Sequence, residues 1–366
     1  MSEPIATKLI WDIGTAYELF ISLYVLHEPE FFGIRASWAA GVRSRIPAAD
    51  RKLLEDVYYL TGVPLAWIHN LPAPKDAISA LWALKQIPAA ERMIKLHRVD
   101  EPCEDDGSEH VEQHRQFNET LLRIATTRAW KTEDAEFFIK IFSKKKSSFK
   151  KDAVERALDW WSRPDELGDA FLSALQSYYQ VFFEEEEKRV APALKAGLEN
   201  AKSLASRLTF DELFTELTQG VQPGEEFRAP NFIFAPAFWS TPIIFYEKLD
   251  ADTQLILFGA RPANMSVVPG EMVPDALVRS LKALADPTRL KILFYLSNES
   301  LTPSELARRL HLRAPTVTHH LSELRLASLV ELTVKHEEKR YSIRAQALEA
   351  TFGNLTAFLH SKPPQE

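Results

Sequence analysis

The chain has 366 residues, of which 46% are hydrophobic and 26% are charged. This length predicts two or three domains with sizeable cores, and the composition excludes a disordered polypeptide. The net charge is −7, yet the residues from Asp275 onward hold 13 Lys and Arg against 10 Asp and Glu. This mildly basic C-terminal segment favours a polyanionic partner at that end of the chain.

The cellular setting follows from two features. The N-terminus, MSEPIATK, lacks the basic and apolar regions of a signal peptide, and no apolar run approaches the ~20 residues that span a bilayer. The single cysteine, Cys103, excludes an intrachain disulfide. We therefore expect a cytoplasmic protein with no membrane partner.

The first half of the chain predicts helices. Residues 5–97 have a helical pattern, with Ile13, Tyr17 and Phe20 at spacings of three and four, and prolines separate its pieces. Residues 99–110 are acidic and turn-rich, which indicates a loop, and a helical pattern returns over 112–141. A single long helix is predicted over 165–208.

From Phe227 the pattern changes to strands. PIIFYEKL and TQLILFGA predict two strands around the turn Asp250-Ala251-Asp252. SVVPGEMVPDA then reads as a linker. We expect a helical N-terminal domain over 1–150, and a long helix with a small sheet over 151–270 as a candidate sensor or dimerisation region.

The segment after Asp275 contains clear helix signals. Asp286 precedes Pro287, which is typical of an N-cap followed by proline in the first turn. Thr302, with Glu305 three residues later, predicts a capping box. His311-Leu312 predicts a tight turn, and the next helix is expected to begin at Pro315.

The helix after Pro315 divides into two faces. Val317, His320, Leu321 and Leu324 share one face by their spacing, and the hydroxyl-bearing residues lie away from it. SLVELTV and KRYSI then predict two strands around a polar turn. Two helices, a short turn and a two-stranded ribbon are the outline of a winged helix-turn-helix over 275–360. The predicted fold class is therefore mainly α (α+β), with a helical N-terminal region, a small β-sheet and a C-terminal winged helix-turn-helix.

ALADPTRLKIL and TVTHHLSEL, within residues 275–345, resemble the ArsR/SmtB class of bacterial winged-helix transcription regulators. The large N-terminal extension is similar to that of the long members of the class. The resemblance implies a transcription regulator, expected to act as a repressor. It also implies a homodimer that binds double-stranded DNA at a palindromic operator. The N-terminal region would dimerise, sense a small-molecule effector, or do both.

The resemblance also implies which residues contact DNA. The groove-facing positions would be Arg313, Thr316, Thr318 and His319. Phosphate contacts would come from Ser304 and the helix start at Thr302, and from the wing. The wing residues are Lys335, His336, Lys339 and Arg340.

Two departures from the class affect specificity. Arg313-Ala314-Pro315 stands where the class commonly has Ser-Gln, so the usual capping hydroxyl is absent and the operator sequence cannot be transferred from relatives. Glu337 and Glu338 at the wing tip weaken the attraction of the wing to phosphate.

No metal or cofactor is predicted. The stretch LTPSELARRL has no cysteine, and ALEATFGNLTAFLH offers only Glu349 and His360, so neither metal site of the class can be built. His110 and His114 are spaced four apart, with Cys103, Asp106 and Glu109 nearby, but the acidic setting favours a solvated loop.

Three interpretations of function stay open at this stage. A set of aromatic residues fits either an apolar effector pocket or an ordinary core: Trp11, Tyr17, Tyr178, Tyr179, Phe182 and Trp239. The winged helix could instead serve as a protein-interaction or dimerisation module without specific DNA binding. An enzyme fused to the winged helix is supported only by the size of the extension, because no catalytic motif is present, and we predict a protein that is not an enzyme.

Overall fold

A computed structural model describes residues 7–58, 60–98, 109–143, 151–224, 227–335 and 338–361. The chain forms two compact units. The helical unit comprises residues 14–191 and 249–251, and the sheet unit comprises residues 1–13, 192–248 and 252–366. The fold is mainly α with β elements, which confirms the predicted class. The three-domain division stays a prediction.

In its described part, the helical unit contains ten helices and the first eight residues of a longer helix that continues into the sheet unit. Its helices are α1 (Thr15–His27), α2 (Ala36–Arg43), α3 (Ala48–Val57), α4 (Leu65–His69), α5 (Ala77–Gln86), α6 (Ala89–Leu96), α7 (Glu109–Thr127), α8 (Thr132–Ser143), α9 (Lys151–Trp161) and α10 (Pro164–Tyr178). The helical pattern predicted over 112–141 corresponds to two helices, α7 and α8. The run predicted over 165–208 is α10, a π-helical turn (Tyr179–Phe183) and α11 (Glu184–Ala205).

A carboxylate joins helix ends inside this unit. Glu187 of α11 accepts hydrogen bonds from the Thr15 hydroxyl and, at 2.9 Å, from the Ala77 N–H. Thr15 and Ala77 are the first residues of α1 and α5. Because helix N-termini present unpaired N–H groups with partial positive charge, a carboxylate there stabilises both helix ends at once.

The sheet unit contains a four-stranded sheet. Its strands are β1 (Lys8–Trp11), β3 (Asn231–Ala237), β4 (Phe245–Asp250) and β5 (Thr253–Gly259), in the order β1-β3-β5-β4. Strand β3 pairs in parallel with both β1 and β5. The helical interpretation of residues 5–97 was wrong for β1, and β3 was not predicted at all. The two strands predicted around Asp250 are confirmed as β4 and β5.

Strand β3 contains a proline because its neighbour ends early. The pairing of β1 with β3 stops at Trp11 opposite Phe234, and the Phe234 carbonyl accepts from Asp12 N–H on that side. Residues two apart face the same neighbour, so the missing N–H of Pro236 faces the space beyond the end of β1. Helix α12 (Phe210–Leu217) covers this sheet, and Phe214 packs against Phe232 and Phe234 in a buried aromatic cluster.

The C-terminal part of the sheet unit is a winged helix-turn-helix. Its elements are α13 (Asp275–Leu284), α14 (Pro287–Leu296), α15 (Pro303–Leu310), α16 (Ala314–Leu326), β6 (Val330–Lys335), β7 (Glu338–Ile343) and α17 (Ala345–His360). Val317, Leu321 and Leu324 of α16 are fully buried in its core with Ile292 and Leu306. Strands β6 and β7 form the predicted antiparallel ribbon.

A third strand joins the wing ribbon from an earlier part of the unit. Strand β2 (Val221–Gln222) pairs in parallel with β6, giving the order β2-β6-β7. Gly220, just before β2, has φ +103°, and a Cβ on it would lie 3.0 Å from the Val330 carbonyl oxygen. Only glycine fits this position without strain. In the described part of the chain, no helix is both long and apolar enough to cross a membrane.

Candidate nucleic-acid interface

Helix α15 begins with a reciprocal cap. The Thr302 hydroxyl accepts from Glu305 N–H at 3.2 Å, and the Glu305 carboxylate accepts from Thr302 N–H at 2.8 Å. The latter bond is the main cause that holds the pKa of Glu305 below its usual range. The predicted capping box is confirmed.

Thr302 has a capping role in the fold. Its side chain is buried, and both its hydroxyl and its N–H are engaged in the cap. The phosphate contact at this helix start stays a prediction. Ser304, two residues later, is exposed. Arg308 is exposed too, and its spacing of four places it on the same face as Ser304. Arg308 was not among the predicted residues, although its spacing of four from Ser304 contains the signal.

A left-handed residue sets the angle between α15 and α16. His311 has φ +54°, and the following Leu312 N–H donates to the Ala307 carbonyl at 3.0 Å. A single left-handed residue after a helix ends its hydrogen-bond ladder and reverses the chain direction. The tight turn predicted at His311-Leu312 is thereby confirmed, and α16 follows after three residues.

Helix α16 has one face in the core and one face at the surface. Thr316, Thr318 and His319 are all exposed, opposite the buried face described above. The Thr318 hydroxyl donates to the Ala314 carbonyl at 3.0 Å, which leaves its lone pairs to accept a bond from outside. His320 is half-buried, and its buried Nδ1 has no hydrogen-bond partner within the described residues.

The N-terminus of α16 carries the residue that differs most from the ArsR/SmtB class. Arg313 is the N-cap residue in an extended conformation, and its side chain makes no capping bond, as the sequence predicts. It is exposed and has no hydrogen-bond or ion-pair partner in the part of the chain that the structure describes. Its guanidinium therefore keeps five free donors beside the hydroxyls of the α16 surface.

In the described part of the wing, one predicted cation is exposed and another is bonded within the fold. His336 and the side chain of Lys335 lie outside the described residues. Lys339 is exposed on β7. Arg340 is half-buried and donates to the Ser300 carbonyl at 2.8 Å, with the Glu305 and Glu338 carboxylates at 3.3 and 3.2 Å.

These bonds make Arg340 a link between β7 and the start of α15. Its predicted contact with phosphate stays a prediction, beside this structural role.

Other predicted chemistry falls elsewhere in the chain. Cys103 and Asp106 lie outside the described residues, and so do the side chains of Glu109 and His110. Within the described ranges, no group of three or more His, Cys, Asp or Glu is placed to hold a metal ion. Of the aromatic set weighed as a pocket, Tyr17, Tyr178, Phe182 and Trp239 are buried as core residues.

Residues 286–331, which span α14 to the start of β6, match the bacterial regulatory proteins of the arsR family. HTH-type transcriptional regulator CmtR of Mycobacterium tuberculosis is 40% identical over 85 residues, which cover 72% of that protein and 23% of this chain. This protein belongs to the arsR family. Transcriptional repressor SdpR of Bacillus subtilis is 29% identical over 79 residues, covering 88% of that protein and 22% of this chain.

One solved structure is also similar, the crystal structure of NolR from Sinorhizobium fredii. It is 27% identical, covers 88% of NolR and 24% of this chain, and has a TM-score of 0.20. The arsR-family relatives are transcription regulators, and the segment that matches the family is the helix-turn-helix. More than three-quarters of this arsR-family chain lies outside these matches.

Proposed function

We propose that this protein is a transcription regulator that reads a palindromic DNA operator as a homodimer. The observation that carries the proposal is α16, which buries one face in the core and exposes Thr316, Thr318 and His319 on the other, with the free guanidinium of Arg313 at its entrance. Hydroxyl and imidazole groups bond base edges, and arginine bonds guanine in the major groove. Arg313 is therefore the main specificity contact of the proposal.

The phosphate contacts of the proposal lie on both sides of α16. Ser304 and Arg308 form one exposed line on α15. The exposed Lys339 of β7 supplies the other, and Lys335 and His336 stay predicted wing contacts. Such contacts fix the position of the protein on the duplex and make its affinity fall as the salt concentration rises.

In this proposal, the two copies of the homodimer contact each other through α17. Among its 16 residues only Thr351 is buried, while Phe352 and Leu359 are 55% and 69% exposed. Leu355 lies between them, so the three form one apolar stripe at spacings of three and four. An apolar helix face of this kind is stable when a second copy covers it. We assign the dimer contact to α17 because it lies in the DNA-binding module itself, and not only to the extension as the sequence suggested.

In this proposal, the N-terminal extension regulates DNA binding. Residues 14–191 form a compact helical unit of their own, and we assign the response to a small-molecule effector to it. The relative SdpR is named as a transcriptional repressor. We extend repression, relieved or promoted by an effector, to this protein as part of the proposal.

Selection of bound duplexes from a random pool tests DNA recognition. We expect one enriched palindrome, since a two-fold dimer meets two half-sites. Arg313→Ala with His319→Ala is expected to lower affinity for that palindrome at least about tenfold, because each good base contact contributes ~1–3 kcal/mol. Lys85→Ala, which removes one exposed cation of the helical unit, is the matched control and leaves affinity unchanged. Equal affinity of the double variant and the wild type would exclude α16 as the reading helix.

Two exposed apolar side chains favour a second candidate function, protein docking by the winged helix. Leu290 and Phe294 of α14 are 48% and 69% exposed and line an open surface cleft together with Lys291, Arg309 and His311. Exposed apolar side chains rimmed by polar residues are typical of protein interfaces. If no duplex binds in a salt-sensitive manner, this function replaces DNA recognition.

A further inference from the structure

The far end of α16 is fastened by a buried arginine. Arg325, in the last turn of α16, donates from Nη2 to the Thr218 carbonyl and from Nη1 to the Gln219 carbonyl, both at 2.8 Å. Thr218 is the C-cap residue of α12, where helix carbonyls lack partners inside the helix. The negative end of the α12 dipole attracts a cation at this point. Arg325 thus joins the C-terminus of α16 to the C-terminus of α12.

The buried environment of Arg325 is energetically unfavourable for a charged side chain. Burial is the main cause that lowers its pKa to about 10, and the nearby Arg344 acts in the same direction. No carboxylate pairs with Arg325 among the described residues. A buried cation without a counter-charge destabilises a fold unless its donors are satisfied, so the two carbonyls of the α12 end are what hold it in place.

Strand β2 makes a second attachment directly beside the first. Leu332 N–H of β6 donates to the Gly220 carbonyl at 2.7 Å, and Val221 pairs with Leu332. The Gln222 amide donates to the Glu331 carboxylate at 2.8 Å and accepts from the Thr333 hydroxyl at 2.6 Å. The edge of β6, which begins the wing, is therefore covered by both backbone and side-chain bonds.

Two side-chain bonds complete the attachment. The Ser328 hydroxyl, between α16 and β6, bonds Gln219 Oε1 at 3.0 Å. Arg344, at the start of α17, donates to the Glu216 carboxylate at 2.8 Å. On its other side, the same short segment buries Leu217 and Val221 in the aromatic core of the four-stranded sheet. Residues 216–222 thus contact α16, the wing, the start of α17 and the sheet core.

We propose that residues 216–222 form a clamp that orients α16 and the wing for sequence recognition, with Arg325 as its positioning residue. The proposal rests on the DNA-binding function proposed above. Arg325 is buried at the opposite end of α16 from Arg313, so it acts through the orientation of the helix and not by touching DNA. Twelve residues of helix separate the two, about 18 Å at 1.5 Å per residue, so a tilt of ~3° moves the entrance by ~1 Å.

A shift of that size acts unequally on the two kinds of DNA contact. A hydrogen bond to a base edge is lost within a few tenths of an ångström beyond its limit, whereas long lysine side chains follow a phosphate over a larger distance. The clamp therefore controls the ratio of operator affinity to non-specific affinity. Non-specific affinity itself depends on charge alone and does not need the clamp.

The test uses four full-length variants and two duplexes. Arg325→Met keeps an apolar stem but removes the charge and the donors, and Gln222→Ala removes the side-chain bonds to β6. Arg325→Lys keeps the charge but lacks the two guanidinium nitrogens that bond both carbonyls. Arg163→Met removes an exposed arginine of the helical unit and is the control. Dissociation constants for the selected operator and for a scrambled duplex are measured at two salt concentrations, with thermal unfolding of each protein.

We expect Arg325→Met and Gln222→Ala to lower the ratio of operator to scrambled affinity by about tenfold. Their affinity for the scrambled duplex stays within about twofold of wild type, Arg325→Lys is intermediate, and Arg163→Met has no effect. If Arg325→Met does not fold, the affinity ratio of Gln222→Ala alone tests the inference. An unchanged ratio in the folded clamp variants overturns the inference, and so does an equal loss on both duplexes. Wild-type protein that binds no duplex overturns the proposed function and this inference with it.

Discussion

Two residues with DNA-binding chemistry serve the fold itself. The Thr302 hydroxyl and N–H are both used in the α15 cap, and the Arg340 guanidinium is bonded to a carbonyl and to two carboxylates. A donor that is already satisfied gains little from a phosphate, because the new bond replaces an old one. The cations left for DNA are those without such bonds, above all Arg313. Arg313, at the entrance of α16, therefore keeps its full set of donors for the proposed contact with a base.

Asp286 allows a pH test of a single cap. Its carboxylate accepts from Arg289 N–H at 2.9 Å at the start of α14, and this bond is the main cause that lowers the pKa of Asp286. A lowered pKa means that the stabilisation is present above the unfolded pKa, about 3.9, and is lost as the pH falls through the lower folded value. We expect Asp286→Ala to lower the free energy of unfolding by about 1 kcal/mol at pH 7.

Asp286→Asn is the matched control, because an asparagine oxygen also caps a helix but does not titrate. This variant should keep most of the stability at pH 7, and its difference from wild type should shrink as the carboxylate is protonated. Urea unfolding of the three proteins in steps from pH 7 to pH 3 measures both effects. Equal stability of Asp286→Ala and wild type at pH 7 would contradict the capping role.

The elements differ in how far the sequence predicts them. The caps at Asp286 and Thr302 depend on residues three apart, so their signals are local and both predictions are confirmed. Strand β1 has only four residues and adopts its form because β3 pairs with it, more than 200 residues away. Arg325 stands among alternating polar and apolar residues, where an arginine predicts a solvated surface. Its burial depends on the contact with the C-terminus of α12, and no residue near position 325 predicts that contact.

The turn into β2 depends on one glycine, and this can be tested with a matched pair. We expect Gly220→Ala to destabilise the sheet unit by ~1–3 kcal/mol, because φ +103° is strained for alanine and its Cβ would meet the Val330 carbonyl. Gly41→Ala, inside α2 with open space around it, should instead stabilise by ~0.5–1 kcal/mol. Urea unfolding measures both, and hydrogen exchange of Leu332 N–H reports whether β2 has left β6. Stability equal to wild type for Gly220→Ala would show that the turn tolerates a side chain.

At the scale of the whole molecule, the DNA-binding module shares a compact unit with the four-stranded sheet. Asp275, at the start of α13, accepts from Val267 N–H at 2.8 Å and pairs with the buried Arg261 at 3.0 Å. Arg261 also donates to the Thr241 carbonyl at 2.8 Å, beside the end of β3. The segment that reads as a linker in the sequence is thus fixed at its end. The four-stranded sheet is therefore joined to the winged helix-turn-helix at two places, by residues 216–222 and by this second contact.

The assignment of the dimer to α17 makes the last prediction. Phe352 and Leu359 on α17 are compared with a second exposed apolar pair in the extension, Ile78 and Trp82 on α5, which are 61% and 65% exposed. Glutamate at both positions of a pair places charges in any interface that the pair forms, which is strongly unfavourable. We expect Phe352→Glu with Leu359→Glu to give a monomer, and Ile78→Glu with Trp82→Glu to leave the dimer intact.

Sedimentation equilibrium gives the oligomeric state, and operator binding gives its consequence. A monomer engages one half-site without the effective concentration that a linked second site provides, so operator affinity should fall by roughly 10²–10⁴ in the α17 variant. The α5 variant controls for the added negative charge, which by itself weakens binding to DNA only through long-range repulsion that salt screens. A monomer produced by the α5 variant alone would place the dimer contact in the extension, where the sequence first suggested it. A dimer that persists in the α17 variant, with unchanged operator affinity, would remove α17 from the interface.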